Sequence, residues 1–366
     1  MVACIINKIR SVFLKRKYYK AVCAESMREE RLVIENVPID GIEPLTLEER
    51  RRIDSYWSWT GIPPSYKEMG MFKHYCGFDP RYLTHYYYLP IVAHLINNYK
   101  WTQIFEHKSL LGWLVPGRIR FPRIFFRVVD GEFYNGNMEQ ISRKECYSEC
   151  ADHYPLILKD STSTSGGISV KQISSEKELD LVITGKRRDF LAQELLVQHP
   201  SFAKFNSTSV NTLRVTTLYL NGVYSTLSII LRMGKAGASV DNWRGGILVG
   251  VDPDGKMHET GYDIHLNRFR ESNGTVFGEE TISQVPELLI ALENAHKHQF
   301  PLCKLIGWDI AFNASNEPVV IELNSSQPGV IGEQLCTGPI FGNRTQEVID
   351  YCMSKPFVYN RAIAQY

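Results

Sequence analysis

Hydrophobic and polar positions change period along the chain, and the changes mark out its elements. Ile5, Ile6, Ile9, Val12 and Phe13 recur at helical spacing among basic residues, which predicts a basic amphipathic helix within residues 1–30. Thr46-Leu-Glu-Glu has the form of a capping box and opens a helix running through Arg50–Trp57. A short helical stretch begins at Lys108. From Pro122 the pattern becomes strand-like, with Pro122–Val129 closed by Asp130-Gly131, then Leu156–Lys159, and Ile168–Ile173 beyond a polar loop. Phe190–Val197 is a further strand leading to His199-Pro200. Val210–Leu220 and Val223–Met233 flank Asn221-Gly222, a dipeptide suited to a tight hairpin. Val249–Val251 is a strand turned at Asp252–Gly255, Pro286–Lys297 a helix, and a last helix is expected near Asn343–Cys352. Between these helices Gly307–Phe312 and Pro318–Leu323 read as two strands joined by Asn313–Asn316.

Candidate chemistry gathers at that last hairpin. Side chains alternate along a strand, so Glu322 and Asn324 share a face, and a paired neighbour would bring Asp309 to the same region. Two carboxylates and an amide oxygen form a set that Mg2+ accepts when it bridges nucleotide phosphates. Solvated acids on a surface hairpin are the alternative. Upstream, Lys159 lies on an apolar strand before Asp160-Ser-Thr-Ser-Thr-Ser-Gly-Gly167, a loop whose N–H groups could fold over phosphates or form a hairpin tip. It is not a Walker loop, since no Gly-Lys-Ser/Thr follows the glycines. Gly234–Gly246 is a glycine-rich loop holding Asp241, Asn242 and Arg244. Tyr82, Tyr86, Tyr87, Tyr88 and Trp101 could form a sugar or base platform, but such density more often fills a core.

The 366 residues suffice for two or three subdomains, and 44% hydrophobic with 22% charged residues is ordinary for a globular enzyme. A net charge of +1 argues against broad nucleic-acid binding. Eight scattered cysteines without a CxxC pair read as reduced thiols, not a disulfide frame or zinc site. With no long apolar run and no secretion signal, a cytoplasmic protein is expected. The basic helix offers peripheral membrane contact through residues 1–30, although packing on the body with a solvated basic face is preferred.

Taken in order, these pieces resemble the ATP-grasp superfamily: Lys108, then Lys159 with Ser161–Gly167, then Gln193-Glu194, then Asp309 with Glu322 and Asn324. The Lys108–Glu194 portion is similar to the D-alanine–D-alanine ligase pattern. The motifs KFNSTSVNTLRVTT, LRMG, SVDNWRGGILVGVD and LIGWDIAF…IELN are similar to the sugar-transfer-associated ATP-grasp family, tied to cell-surface polysaccharide synthesis. The resemblance covers about residues 100–330. It implies an α+β ATP-grasp fold, with two α+β subdomains gripping ATP, preceded by a helical region. The expected divisions are an extension (1–45), a pre-ATP-grasp region (46–150), a small subdomain (151–200) and a large subdomain with the Mg2+ site (201–366).

The resemblance also implies roles. Lys108 and Lys159 would hold the α- and β-phosphates, and a flap with Ser161, Ser163, Ser165, Gly166 and Gly167 would close over them. Gln193 and Glu194 would meet adenine mainly through backbone groups, with Leu195 and Leu196 walling the ring. Asp309, Glu322 and Asn324 would ligate one or two Mg2+ ions. Arg214 and Arg232 would steady the γ-phosphate or an acylphosphate, while Asp241, Asn242, Gly245 and Gly246 would line the acceptor site. Two departures stand out: Val197-Gln198-His199 occupies the segment where an acid often holds the ribose, and His107 precedes Lys108 where an acid often sits. The implied activity is an ATP-dependent carboxylate–amine ligase joining a small-molecule or sugar-linked carboxylate to an amine. A kinase of sugar hydroxyls, with Asp241 as base, and a non-catalytic nucleotide-binding scaffold are the alternatives.

Overall fold

A computed structural model describes residues 23–38, 40–115, 117, 119–162, 170–185, 187–235, 237 and 245–355. The expected basic helix over 1–30 therefore lies mostly outside the described residues. Among those described, no helix is long and apolar enough to cross a membrane. The chain divides into two compact units, one drawn from residues up to Asn98, Ile264–Leu266 and the chain from Gly329 on, the other from Tyr99–Asp263 and Asn267–Pro328.

The first unit is helical. Thr46 caps Leu47–Trp57 as expected: its hydroxyl accepts from Glu49 N at 3.1 Å, and Glu49 Oε2 accepts from Thr46 N at 2.7 Å. The aromatic run is largely core, with Trp57 stacked on Tyr87 at 3.9 Å and Phe72 on Tyr82 at 4.4 Å. Tyr88 is buried too, and Tyr86 donates to Glu30 at 3.1 Å. Helices Ile331–Thr337 and Thr345–Ser354 complete this unit.

The second unit holds two antiparallel sheets. In the smaller, β1 (Ile124–Val129), β2 (Glu132–Asn135), β3 (Leu156–Asp160), β4 (Lys171–Ile173) and β5 (Phe190–Glu194) take the order β2-β1-β5-β3-β4. Phe126, Val128, Leu156, Leu158 and Phe190 pack on one face with Leu179 and Ile183 of helix Glu176–Ile183 and Cys146 and Cys150 of helix Arg143–Cys150. Burial pushes both thiols up to about 12, and all seven described cysteines are free. A subdomain boundary at residue 150 cuts this sheet, because β1 and β2 precede it yet pair into the same ladder through β1–β5. The large-subdomain span likewise divides at Gly329.

The larger sheet contains β6 (Thr212–Leu220), β7 (Val223–Gly234), β8 (Gly246–Val251), β9 (Met257–Tyr262), β10 (Arg268–Phe269), β13 (Leu305–Phe312) and β14 (Pro318–Asn324), ordered β10-β9-β8-β7-β6-β13-β14. A separate ribbon pairs β11 (Glu271–Ser272) with β12 (Thr275–Val276). Asn221 and Gly222 turn β6 into β7 with φ of 52° and 78°, the two positive values a type I′ turn requires. One face of the sheet carries Leu213, Val215, Leu231, Met233, Val249, Trp308 and Ile310 against helix Val285–His298. Within this core Trp308 Nε1 donates to Thr217 Oγ1 at 2.8 Å, and Thr217 Oγ1 lies 2.8 Å from His296 Nδ1. His296 Nε2 reaches Cys303 O at 2.8 Å, so Nε2 carries the proton and Nδ1 accepts from Thr217. With the apolar residues committed to this face, alternation sends polar neighbours to the other.

Candidate functional site

That other face carries the candidate residues. In the β13–β14 register Gly307 faces Asn324 and Asp309 faces Glu322, while across the β6 border Asp309 faces Arg214. Arg232 on β7 lies opposite Thr212, two residues from Arg214. The hairpin and its pairing are as expected, and the register puts Asp309 opposite Glu322 with Asn324 two residues further along β14.

The carboxylates are engaged with cations. Arg214 Nε and Nη2 donate to the two oxygens of Asp309 at 2.6 and 2.9 Å, and Arg232 Nη1 donates to Oδ1 at 2.9 Å. Burial alone would raise the Asp309 carboxyl, but the two guanidiniums outweigh it and hold the group well below the usual carboxylate range. Asn324 Nδ2 lies 3.3 Å from Asp309 Oδ2 and 3.4 Å from Gly307 O. Lys108 Nζ sits 3.0 Å from Glu322 Oε1, which brings the first expected lysine to the acidic strand despite His107 before it. Three cations face two carboxylates, leaving one net positive charge on the array.

Lys108 and Glu322 line a narrow cleft walled by Phe121, Ile124 and Ile321 and by Gln193 of β5. Lys159 is buried on β3, on the face opposite Leu156 and Leu158 and beside Leu191. Leu196 packs with Ala311, Val319 and Ile321, and Leu195 is half-buried. Glu194 pairs through its backbone, its N–H donating to Arg123 O at 2.9 Å, while its carboxylate accepts from Arg123 N at 2.8 Å. That amide is thus spent inside the protein.

Ser161 lies at the foot of the expected flap, fully buried. Its carbonyl accepts from Lys108 N at 2.9 Å, its N–H donates to Asp189 O at 3.2 Å, and its hydroxyl pairs with Ser109. It therefore anchors the flap, and its bonds leave it no part in covering a ligand. Ser163, Ser165, Gly166, Gly167, Asp241 and Asn242 lie outside the described residues. Gly245 is in a turn and Gly246 begins β8. In the ribose segment Gln198 bonds Asn206 O at 2.9 Å, Ser209 O at 2.7 Å and Asn211, and His199 Nδ1 caps the turn at Ser201.

Two residues escaped the sequence reading. Glu106 accepts from the backbone N–H groups of Ser325 and Ser326, each at 2.5 Å, directly after Asn324. Arg127, fully enclosed on β1, donates to Ser109 O at 2.5 Å and Gly136 O at 2.8 Å, and burial lowers its pKa to about 10. A lone charge on an apolar strand, the signal that marked Lys159, was equally present at Arg127.

The model of the sugar-transfer associated ATP-grasp family matches residues 93–350. The chain belongs to this family. Its fold is accordingly the α+β ATP-grasp fold, with a helical N-terminal region. No curated protein matches the chain. Among solved structures, VanG D-Ala:D-Ser ligase from Enterococcus faecalis is 13% identical over 69% of this chain and 62% of its own, with a TM-score of 0.42. The ATP-grasp ligase PsnB complexed with minimal precursor is 13% identical over 70% and 64%, with a TM-score of 0.41. An ADP complex of PurK, N5-carboxyaminoimidazole ribonucleotide synthetase, is 12% identical over 65% and 46%, with a TM-score of 0.36. The chain thus spans between about half and two thirds of the length of these structures.

Among the described residues no three His, Cys, Asp or Glu side chains gather around one point. The oxygen set here is two carboxylates and one amide on neighbouring strands, a donor chemistry that fits a hard divalent cation sharing its shell with phosphate and water.

Proposed function

We propose that this family member is an ATP-dependent carboxylate–amine ligase whose Mg-ATP cleft lies between Lys108, Gln193 and Glu322. The observation that carries the reading is the ion-paired array of Lys108–Glu322 and Arg214–Asp309–Arg232 beside that cleft, which keeps one net positive charge. Each carboxylate is held by a cation that would suit a phosphate oxygen, and each cation by a carboxylate that would suit a metal. A magnesium–triphosphate pair would exchange for both sets together, so the site would favour Mg-ATP over either component.

In this reading Lys108 and Lys159 hold the α- and β-phosphates, and the loop anchored at Ser161, with Ser163, Ser165, Gly166 and Gly167, covers them. The backbone around Gln193 and Glu194 meets the adenine, with Leu195 and Leu196 behind it. Asp309, Glu322 and Asn324 would hold one or two Mg2+ ions, which would supply positive charge against the phosphates. Arg214 and Arg232, released from Asp309, orient the γ-phosphoryl while a substrate carboxylate oxygen displaces ADP, and they then steady the acylphosphate. An amine attacks the acyl carbon, the acyl–phosphate bond breaks, and phosphate departs with the proton the nitrogen loses, leaving an amide. The loop with Asp241, Asn242, Gly245 and Gly246 lines the acceptor site.

The family's association with sugar transfer supports a uronic acid, a sugar-linked carboxyl or an amino acid as one partner. The test is incubation with Mg-ATP and panels of uronic sugars and amino acids, reading ADP, free phosphate and amide. Equal release of ADP and phosphate with amide formation is expected. ADP with phosphate retained on a sugar would replace the ligase by a kinase, and nucleotide binding without turnover would point to the scaffold.

A further inference from the structure

Residues Glu106–Ser109 bond to both sheets of the second unit within four positions. On one side the Glu106 carboxylate accepts four donors from the exit of β14. Oε1 takes the N–H groups of Ser325 and Ser326 at 2.5 Å and the Ser325 hydroxyl at 3.3 Å, and Oε2 takes the Ser326 hydroxyl at 2.7 Å. The single Ser325 hydroxyl proton is shared with Thr102 O at 3.1 Å, inside the turn that precedes Glu106. On the other side Lys108 N donates to Ser161 O at 2.9 Å, the Ser109 and Ser161 hydroxyls pair, and Arg127 of β1 donates to Ser109 O at 2.5 Å. The foot of the flap and the end of the carboxylate strand are thus held by one short strap, from which Lys108 reaches Glu322.

A surface turn does not need this much bonding. Two successive N–H groups with two hydroxyls make an anion nest, and a charged acceptor strengthens each bond to roughly twice a neutral one. The nest immediately follows Asn324, and its anion comes from two residues before Lys108. The two candidate metal-side groups on β14 thus run into a nest whose anion lies two residues from the first phosphate-side lysine.

We infer that Glu106 is a positioning residue. It sets Glu322 and Asn324 at a fixed offset from Lys108, so that phosphate and metal are received at one spacing, while its own carboxylate, which borders the same cleft, is spent on the exit of β14. The inference rests on the Mg-ATP reading above. A neighbour that only stabilised the fold would lower the melting temperature and leave the nucleotide's metal dependence alone.

The experiment compares ATP affinity with and without Mg2+ in wild type, Glu106→Gln and Ser326→Ala, with hydrogen exchange at the Ser325 and Ser326 amides. Glu106→Gln keeps the shape and removes the charge. It is expected to raise exchange at both amides at least tenfold and to weaken Mg-ATP binding about tenfold, while Mg-free ATP binding changes less than twofold. Ser326→Ala keeps the carboxylate and removes one donor, so it should show the same asymmetry at about a third of the size, and it serves if Glu106→Gln fails to fold. Faster exchange with unchanged Mg-ATP affinity, in a protein whose wild type binds Mg-ATP, overturns the positioning role and leaves the nucleotide site standing. Equal weakening of both affinities overturns it as well. A wild type that binds no Mg-ATP overturns the site reading and the positioning role with it.

Discussion

Replacing Asp309 by asparagine isolates the charge at the centre of the array. In the wild type three N–H donors from Arg214 and Arg232 converge on two carboxylate oxygens. The amide keeps one oxygen and turns its NH2 toward a donor, so at least one guanidinium hydrogen bond is lost and the anion disappears. Removing one partner of a buried ion pair costs about 3–5 kcal/mol, because the opposite charge is left uncompensated. The arginine side chains retain 12% and 15% exposure, so water reaches part of them and the lower end, about 3 kcal/mol, is expected. For a unit of this size each kcal/mol shifts Tm by about 2–4 °C, which gives a loss of about 6–12 °C. Thermal unfolding followed by circular dichroism at pH 7 in phosphate-free buffer measures it. Added inorganic phosphate should recover more of Tm in the variant than in the wild type, since the freed guanidiniums then offer an anion site. A variant within about 2 °C of wild type, with no added phosphate effect, would refute the buried triad.

The same residue predicts acid sensitivity. Its folded pKa is depressed, so its contribution is complete above the unfolded carboxylate value of about 3.9 and is lost as pH falls below it. Asp309→Asn should remove that part of the acid limb in urea midpoints measured against pH. His296 acts in a higher window, because burial brings its pKa down to about 4 while the unfolded chain titrates near 6.5. The unfolded state binds the proton first, so stability should fall by up to about 3 kcal/mol from pH 6.5 to 4, and His296→Gln should flatten the slope. Two glycine substitutions separate backbone strain from collision. At Gly222, with φ of 78°, nothing lies within 4 Å of an added Cβ, so alanine should cost only about 1–2 kcal/mol. At Gly255, with φ of 92°, the added Cβ would stand 2.2 Å from Ile282 O, and chemical denaturation should show a distinctly larger loss.

The parts of the site that rest on local pattern were legible in the sequence. Alternation put Glu322 and Asn324 on one face, the Asn313–Asn316 turn made a hairpin, and the register then placed Asp309 opposite Glu322. Asn221-Gly222 specified its own turn because only such residues tolerate two positive φ values cheaply. What depends on distant partners was not legible. Phe125-Phe-Arg-Val-Val reads as a strand but not as a member of the small sheet, because its partner β5 lies some sixty residues on and pairs through backbone groups common to every residue. Glu106 looks like any loop acid, since its acceptors' partners are 219 and 220 positions away. Ser161 was assigned to the flap by composition, whereas burial against Ser109 and Lys108 makes it the anchor. The strand expected over Ile168–Ile173 is observed only as Lys171–Ile173, with residues 163–169 outside the described chain.

The nucleotide site itself is tested most directly by calorimetric titration of ATP, with and without Mg2+, into wild type and Glu322→Gln. Glu322 pairs with Lys108 at 3.0 Å, so the substitution releases the lysine while removing a metal-side carboxylate. The array predicts micromolar Mg-ATP binding in the wild type, with Mg-free ATP bound measurably but much more weakly. In the variant that difference should fade, with Mg-ATP affinity reduced at least tenfold and Mg-free ATP affinity unchanged or improved by the released lysine. Equal affinity with and without Mg2+ in the wild type, or no binding to either protein, would contradict the assignment of Asp309, Glu322 and Asn324 to the metal and of this cleft to ATP.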